Sequence, residues 1–293
     1  MLISVVIRTL NEARHLPALL AGIAGQALQA HQCEVVLVDS GSTDGTLQVA
    51  QQHGCRIVHI RKEDFSFGRS LNVGCAAAKG DALVFVSGHC IPFDKHWLAR
   101  LVAPLGQDRV VYAYGGQVGD SSTHFSERQI FAKYFPAESK LPQEGFYCNN
   151  ANSALLRSEW DLVRFDEEIT GLEDMFLAKE LVQRGRRLAY VADAKVYHLH
   201  DESWRQVKRR FEREAIALQR IMPEVHLGPL DVARYAGSAI LLDCGVALQE
   251  RGLIKHFASI VTYRACQFWG AFKGNHVHRQ LSRVAKERYY FPR

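Results

Sequence analysis

The sequence predicts an α/β fold: a mostly parallel sheet flanked by helices, followed by a helical C-terminal region. Two observations carry that expectation. From the N-terminus to about residue 115, short β-branched runs alternate with helical stretches, the repeated strand-to-helix connection that builds parallel sheets. Beyond Glu202 the strand signals stop and helical patterns take over. The 293 residues, 47% of them hydrophobic, are enough to bury a large core.

Element by element, "ISVVI", "CEVVLVD", "RIVHI" and "ALVFVS" read as strands. Between them, "EARHLPALLAGIAGQALQ", "TDGTLQVAQQHG" and "GRSLNVGCAAAKG" read as helices. The middle of the chain mixes strands ("VVYAYGGQV", "RLAYVA", "KVYHLH") with helices ("SEWDLV", "EDMFLAKELVQRG"), and "SWRQVKRRFEREAIALQRIM" opens the helical region. A boundary is expected at residue 202, separating domains 1–202 and 203–293.

The net charge of +5 is unevenly distributed. Lys208, Arg209, Arg210 and Arg213 cluster, and the tail carries Arg279, Arg283, Lys286, Arg288 and Arg293. This bias points to anionic phosphates or a membrane surface. Nucleic acid is not expected, because the basic residues fall outside any reader motif. The seven cysteines contain no CxxC pair, which argues against a disulfide framework or a zinc ribbon and for a reducing cytoplasm. The N-terminus lacks a basic leader and signal-peptide core, and no apolar run is long enough to span a bilayer. "YAGSAILLDCGVALQ", broken by Asp243, reads as a packed or interfacial helix.

Ligands of open α/β sheets bind past the carboxyl ends of the strands, so the polar residues there are the first candidates: Arg8 to Glu12, Asp39 to Asp44, and Ser87 to Cys90. Asp39 ends a strand and is placed to accept hydrogen bonds from a base or ribose, while Asp44 suits capping of the next helix. A GxGxxG fingerprint is absent. "GLED" puts Glu173 and Asp174 at the start of a helix with Leu177, Leu181 and Val182 as its buried stripe. Acidic residues there also suit the helix dipole without any catalytic role.

"SVVIRTLNEARHL", "EVVLVDSGSTDGT" and "FGRSLNVGCAAAKGDALVFVSGHCIP", in that order, resemble the nucleotide-sugar-binding half of a family 2 glycosyltransferase with the GT-A fold, over roughly residues 2 to 202. "VDSGSTDGT" and "FSFGRSLNVG" are similar to the subset containing rhamnosyltransferases. The resemblance implies inverting transfer of a sugar from a nucleotide diphosphate donor to an acceptor hydroxyl. It implies that Thr9, Asn11 and Glu12 lie beside the nucleotide, that Asp39 bonds its base, and that Asp174, with Glu173, supplies the general base. Asn72 falls where the family has an Arg-Asn pair, but Leu71 precedes it and Arg69 is displaced by two residues.

The family's Asp-x-Asp motif, whose last carboxylate holds a divalent cation, reads Ser87-Gly88-His89. Mg²⁺ prefers oxygen ligands and imidazole suits transition metals, so the exchange bears on whether a cation such as Mn²⁺ or Mg²⁺ is used at all. Three readings stand for His89: a metal ligand with His198 or His200 of "VYHLH", a cation neutralising the diphosphate without metal, or a packed strand-end histidine. The two histidines of "VYHLH", at i and i+2 on a strand, share a face.

"FYCNNANSALL" resembles the family's acceptor-side segment, where Asn150, Asn152 and Ser153 either bond sugar hydroxyls or satisfy a loop. Trp160 and Trp204 suit sugar stacking or core packing. "WRQVKRRFERE" suits phosphate binding or a solvated helix, and no Gln-x-x-Arg-Trp pattern of processive synthases is present.

The expected activity is addition of one sugar to a growing bacterial surface glycan (lipopolysaccharide, capsule or exopolysaccharide) on a lipid-linked or oligosaccharide acceptor. The tail's interleaved Arg, Lys and aromatic residues suit a peripheral contact with the inner face of the plasma membrane, or a homodimer. A nucleotidyltransferase is the rival, weakened by the absence of a Gly-rich phosphate loop. An inactive sugar-nucleotide-binding scaffold is the other, kept open by the lost carboxylates.

Overall fold

The computed structural model describes residues 1–28, 31–276 and 290. In chain order the elements are β1 (Leu2–Thr9), α1 (Leu16–Ala24), β2 (Gln32–Asp39), α2 (Thr46–Gln52), β3 (Arg56–His59), α3 (Phe67–Ala77) and β4 (Ala82–Ser87). Then come β5 (Cys90–Pro92), α4 (Trp97–Val102), β6 (Val110–Val118), α5 (Phe125–Tyr134), β7 (Lys140–Gln143), β8 (Asn152–Leu156) and α6 (Arg157–Leu162). The chain continues through α7 (Glu173–Gln183), β9 (Arg187–His198), α8 (Trp204–Ile221), α9 (Pro229–Gln249) and α10 (Leu253–Asn275).

The chain divides into two compact units. The first comprises Met1–Asp120, Phe135–Glu168 and Glu173–Leu199. It holds one sheet with strand order β3-β2-β1-β4-β8-β6-β9-β5, and β7 adds to β9. The β1, β2, β3 and β4 pairings are parallel, whereas β8 runs antiparallel between β4 and β6. Both sheet faces are covered, which is why the strands read as near-continuous apolar runs. Ile3, Val5 and Ile7 of β1 pack with Leu16, Leu19 and Trp97 on one side, and Val6 packs with Val38, Leu71 and Leu177 on the other.

Parallel register sets Thr9 opposite Asp39 and Arg8 opposite Ser87, so the carboxyl ends of β1, β2 and β4 share one edge. There the candidate residues gather. The strands the sequence predicts are present, with "RLAYVA" and "KVYHLH" fused into β9. The sequence reading misses β5, β7 and β8, which are short; β8, "NSALL", contains no β-branched residue and so lacks a strand signal despite its interior position.

The second unit comprises Ser121–Tyr134, Ile169–Leu172 and the chain from His200 on. A single cut at residue 202 therefore misses two earlier segments, because α5 and the 169–172 loop belong with the C-terminal helices. Within it α8 lies against α10, where a Cβ at Gly270 or Gly274 would run into the main chain of Lys208 or Glu212. Ala247, Ile260 and Phe125 form its apolar centre. Asp243 and Arg264 make a buried bidentate pair, with Nε to Oδ2 and Nη2 to Oδ1 both at 2.8 Å. No helix among the described residues is long and apolar enough to cross a membrane. The basic tail lies outside the described residues apart from Tyr290.

Candidate active site

Two loops at the strand ends clasp each other. Asn11, held in the left-handed region at φ 59° that asparagine tolerates, donates its N–H to Ser42 Oγ at 2.9 Å and accepts the Thr43 N–H on Oδ1 at 2.8 Å. Asp44 accepts from the N–H of Ala13 and Thr46, each at 3.1 Å, which is the helix-start role its type and position predict. Asp39 is buried, and its carboxylate accepts the N–H groups of Gly41 and Ser42 at 2.9 and 3.1 Å, with His59 Nδ1 3.8 Å away. Asp39 therefore closes a turn as well as standing at the strand end. Thr9 is buried, and its carbonyl accepts both the N–H and the hydroxyl of Ser40.

Ser87 and Gly88 lead from β4 to His89. A Cβ on Gly88 would come within 2.9 Å of Glu12 Cγ, so the glycine lets the Glu12 side chain lie across it. Glu12 Oε1 then meets His89 Nδ1 at 3.0 Å. On the other side of the ring, His89 Nε2 faces His198 Nε2 at 3.1 Å, with the rings stacked at 5.1 Å between centroids. His198 Nδ1 meets Gln117 Oε1 at 2.7 Å.

This chain of contacts sets the tautomers. The Ala151 N–H donates to Asn149 Oδ1 at 3.0 Å, so that atom is an acceptor, and Gln117 must turn its Nε2 toward it, also at 3.0 Å. Gln117 Oε1 is left to accept from His198, which places the proton on Nδ1. Ionised Glu12 only accepts, which places the His89 proton on its own Nδ1. With both rings neutral the two Nε2 atoms, 3.1 Å apart, are both acceptors, and a proton or a cation between them would offset their mutual repulsion. Imidazole nitrogens bind transition metals at about 2.0–2.1 Å, so two of them 3.1 Å apart are close enough to hold one ion. The donor set fits a divalent transition metal.

At the head of α7 two adjacent carboxylates have different surroundings. Glu173 Oε1 accepts from Arg8 Nη1 at 2.9 Å. Asp174 accepts instead from the main-chain N–H of Asn150 on Oδ2 at 2.7 Å and of Met175 on Oδ1 at 2.8 Å. Burial, with the Glu173 charge beside it, pushes the Asp174 carboxyl up to about 7 in spite of those hydrogen bonds and of Arg8. Leu172, directly before the pair, holds φ at 55°, a conformation a leucine rarely adopts.

Several expected contacts are internal instead. Asn152 is fully buried: its Oδ1 accepts from Trp97 Nε1, and its Nδ2 donates to the carbonyls of Gly116 and Ala194. Ser153 is fully buried and donates to Asn150 Oδ1 at 2.7 Å. Both support the sheet rather than lining a sugar cleft. Asn150 differs: its Oδ1 also accepts from Tyr112, while its buried Nδ2 has no hydrogen-bond partner among the described residues. Asn72 donates to Phe165 O and Glu167 Oε1 and accepts from Trp160 Nε1 and the Phe165 N–H, leaving nothing for a phosphate. Arg69 pairs with Glu167 Oε2 at 2.7 Å, so its displacement in the motif puts it on a carboxylate of its own chain. Trp160 is core, whereas Trp204 is partly exposed and stacks on His124.

His200 belongs to the second unit, where its Nδ1 meets Glu127 Oε1 at 2.7 Å. Arg210 Nη2 meets Glu127 Oε1 at 2.6 Å and Glu202 Oε2 at 2.7 Å. Ligand atoms of Glu127, His200 and Glu202 lie within 4.8 Å of one another, as a metal would need, but the guanidinium already sits between the carboxylates. One cation of the "WRQVKRRFERE" helix is therefore turned inward. Burial alone would raise Glu127; His200 and Arg210 outweigh it and hold its carboxyl down at about 2.

Sequence reasoning misses Gln117 and Asn149, the residues that orient the histidine pair. The glycine doublet before Gln117 marks a β-strand irregularity, and the register shift between Gly115 and Gln117 is found there.

The family model for "Glycosyl transferase family 2" matches residues 4–162, more than half of the chain. The chain belongs to glycosyl transferase family 2. This transferase is 26% identical over 224 residues to the O-antigen chain rhamnosyltransferase RfbN of Salmonella typhimurium, covering 72% of this chain and 70% of RfbN. It is 27% identical over 191 residues to the O-antigen chain rhamnosyltransferase WbaN of Salmonella anatum, covering 61% and 60%. A PGL/p-HBAD biosynthesis glycosyltransferase of Mycobacterium tuberculosis is 36% identical over 126 residues, 42% of this chain and 48% of that one. Among solved structures, the mannosyltransferase PcManGT from Pyrobaculum calidifontis, in complex with GDP-Man and Mn²⁺, superposes with a TM-score of 0.67 at 19% identity, covering 94% and 88%. S. aureus TarS 1-349 with UDP-GlcNAc gives 0.56 at 17%, covering 91% and 90%. These likenesses show that the fold is GT-A, as the sequence motifs imply.

Proposed function

We propose that this family 2 transferase moves a hexosyl or deoxyhexosyl group, with inversion, from a nucleotide diphosphate sugar to an acceptor hydroxyl in the assembly of a bacterial surface glycan. The observation that carries the reading is one hydrogen-bonded path. From Asp174 it runs through the Asn150 main chain and the adjoining Asn149 side chain to Gln117, His198, His89 and Glu12. The base and the histidine pair are thus braced by one set of residues.

The chemistry asked of Asp174 is removal of the acceptor proton as the acceptor oxygen bonds to the anomeric carbon. The bond from that carbon to the diphosphate oxygen breaks as the new one forms, and the nucleoside diphosphate leaves with the electron pair. A carboxyl raised to about 7 is matched to that task near neutral pH. Glu173, ion-paired with Arg8, keeps its charge beside the base and helps raise it. Asn150 Nδ2, a buried donor next to the base, is placed to bond a sugar hydroxyl. His89 and His198 would hold a divalent ion, which would neutralise charge on the leaving diphosphate. The donor is a nucleotide sugar on the strength of the strand-end loops, where Asp39 and Asn11 line the edge that in such sheets receives the nucleotide. The rhamnosyltransferase relatives favour a deoxyhexose.

The test is calorimetric titration with UDP, dTDP, GDP and CMP, each with EDTA and then with Mn²⁺, followed by turnover of the matching sugar donors. Release of nucleoside diphosphate with an inverted product anomer is the expected result. A retained anomer, pyrophosphate release, or no turnover by a protein that binds the nucleotide would overturn the reading, the last in favour of a scaffold.

A further inference from the structure

The second unit carries a surface that the transfer reaction does not use. The apolar run of α9 is interrupted in sequence by Asp243, yet that carboxylate turns inward onto Arg264 and is 2% exposed. Its removal from the surface leaves every exposed position of α9 from Tyr235 to Leu248 uncharged. Leu241 and Leu242 are 74% and 72% exposed, and Leu248 stands out beyond them. Across the turn, α10 presents Ile254 at 99% exposure, then Phe257 and Trp269. Monomeric proteins seldom leave so many large apolar side chains in water without a use for them.

The charges around this face choose its occupant. Arg234, Arg251 and Lys255 are exposed on the same hairpin against one exposed carboxylate, Glu250. Lys273 is answered within the unit by Glu212, and Asp231 by the Gly228 N–H. In a two-fold dimer built on this face, each patch meets its own copy and the cationic rims repel. An anionic lipid surface attracts the same rim while its acyl boundary accepts the leucines, and the aromatic side chains suit the headgroup level.

We propose that the outer face of the α9–α10 hairpin docks on a membrane surface bearing anionic phospholipid headgroups, lying in the interface rather than crossing it. The full chain is tested by sedimentation with vesicles of phosphatidylcholine alone and of an equimolar mixture with phosphatidylglycerol, at low and high salt. It should pellet with the anionic vesicles, and less so as salt is raised. Leu242→Ser/Ile254→Ser should lose pelleting while melting at the native temperature. Arg251→Gln/Lys255→Gln, which leaves the apolar face intact, should bind anionic vesicles about thirtyfold more weakly. Unchanged binding by either variant, or no pelleting of the native chain, would overturn the proposal. A dimer seen by sedimentation velocity without vesicle binding, and dissolved by Leu242→Ser/Ile254→Ser, would hand the face to a second copy.

Discussion

His89 Nε2 and His198 Nε2 face each other at 3.1 Å, and the outer nitrogen of each ring is bonded to an acceptor, Glu12 on one side and Gln117 on the other. Where the sequence resemblance expects Asp-x-Asp carboxylates, the structure places His89 against His198, with each ring held from its outer nitrogen by a neighbour. Orientation by second-layer acceptors is what makes imidazole an effective ligand, because the outer bond fixes both the tautomer and the ring plane.

Gln117 should therefore matter to metal binding without touching the metal. Gln117→Leu removes the acceptor for His198 Nδ1 and frees the tautomer. Titration with Co²⁺, followed by its visible spectrum, should show affinity lowered by about 10–100-fold. Unchanged affinity would mean that the pair does not chelate.

The identity of residue 89 should also set metal preference. With two imidazoles, the native protein should bind Co²⁺, Ni²⁺ or Zn²⁺ more tightly than Mn²⁺, and Mg²⁺ least. His89→Asp supplies a hard oxygen donor, so the gap between Mg²⁺ and Co²⁺ should narrow in competition titrations. EDTA should weaken nucleoside diphosphate binding by the native protein, and readdition of Co²⁺ should restore it.

These features differ in how far the sequence discloses them. Asp39 and the Glu173-Asp174 pair are legible because each stands at an element boundary, where a polar residue after an apolar run or before a helical stripe is conspicuous. Gln117 lies within a strand, and only the register against β9 shows that its side chain meets His198. Asn152 and Ser153 look like loop residues because amides and hydroxyls are frequent in loops, yet Trp97 and Asn150 satisfy them inside the sheet. On α8, hydrophobic periodicity separates faces but does not reveal that Arg210 finds two carboxylates inside the unit. Residue types and local spacing thus disclose where the strand-end polar residues stand, and long-range pairing decides which polar groups remain for a ligand.

The Arg210 network should be a stability element of the second unit. Arg210→Met leaves Glu127, whose side chain is 1% exposed, with His200 alone, and breaking a buried pair from one side costs about 3–5 kcal/mol. Glu127 is held at about 2 against an ordinary 4.5, so its favourable contribution is complete above 4.5 and is lost as pH falls toward 2. Urea unfolding between those pH values should show a steeper acid loss in the native protein than in Arg210→Met. Equal slopes would remove Arg210 from the cause.

Asp174 makes opposite demands on rate and stability. As a base it must be ionised, so kcat/KM should rise with pH through about 7, and Asp174→Asn should lower it by about 10²–10⁴-fold and abolish that limb. For stability the sign reverses. The folded carboxyl is raised above its ordinary 3.8, so between 3.8 and about 7 the native state holds a proton that the unfolded chain has released. Native stability contributed by this group is thus greatest below 3.8, falls as pH rises, and is gone above about 7. Asp174→Asn mimics the neutral form at every pH, since an amide oxygen still accepts the Asn150 N–H. Its melting temperature should exceed that of the native protein at pH 8 and approach it at pH 4. A variant equally stable at pH 8 but inactive would show that the carboxyl is not held in an unfavourable state, and a variant that is both more stable and active would remove Asp174 from the reaction.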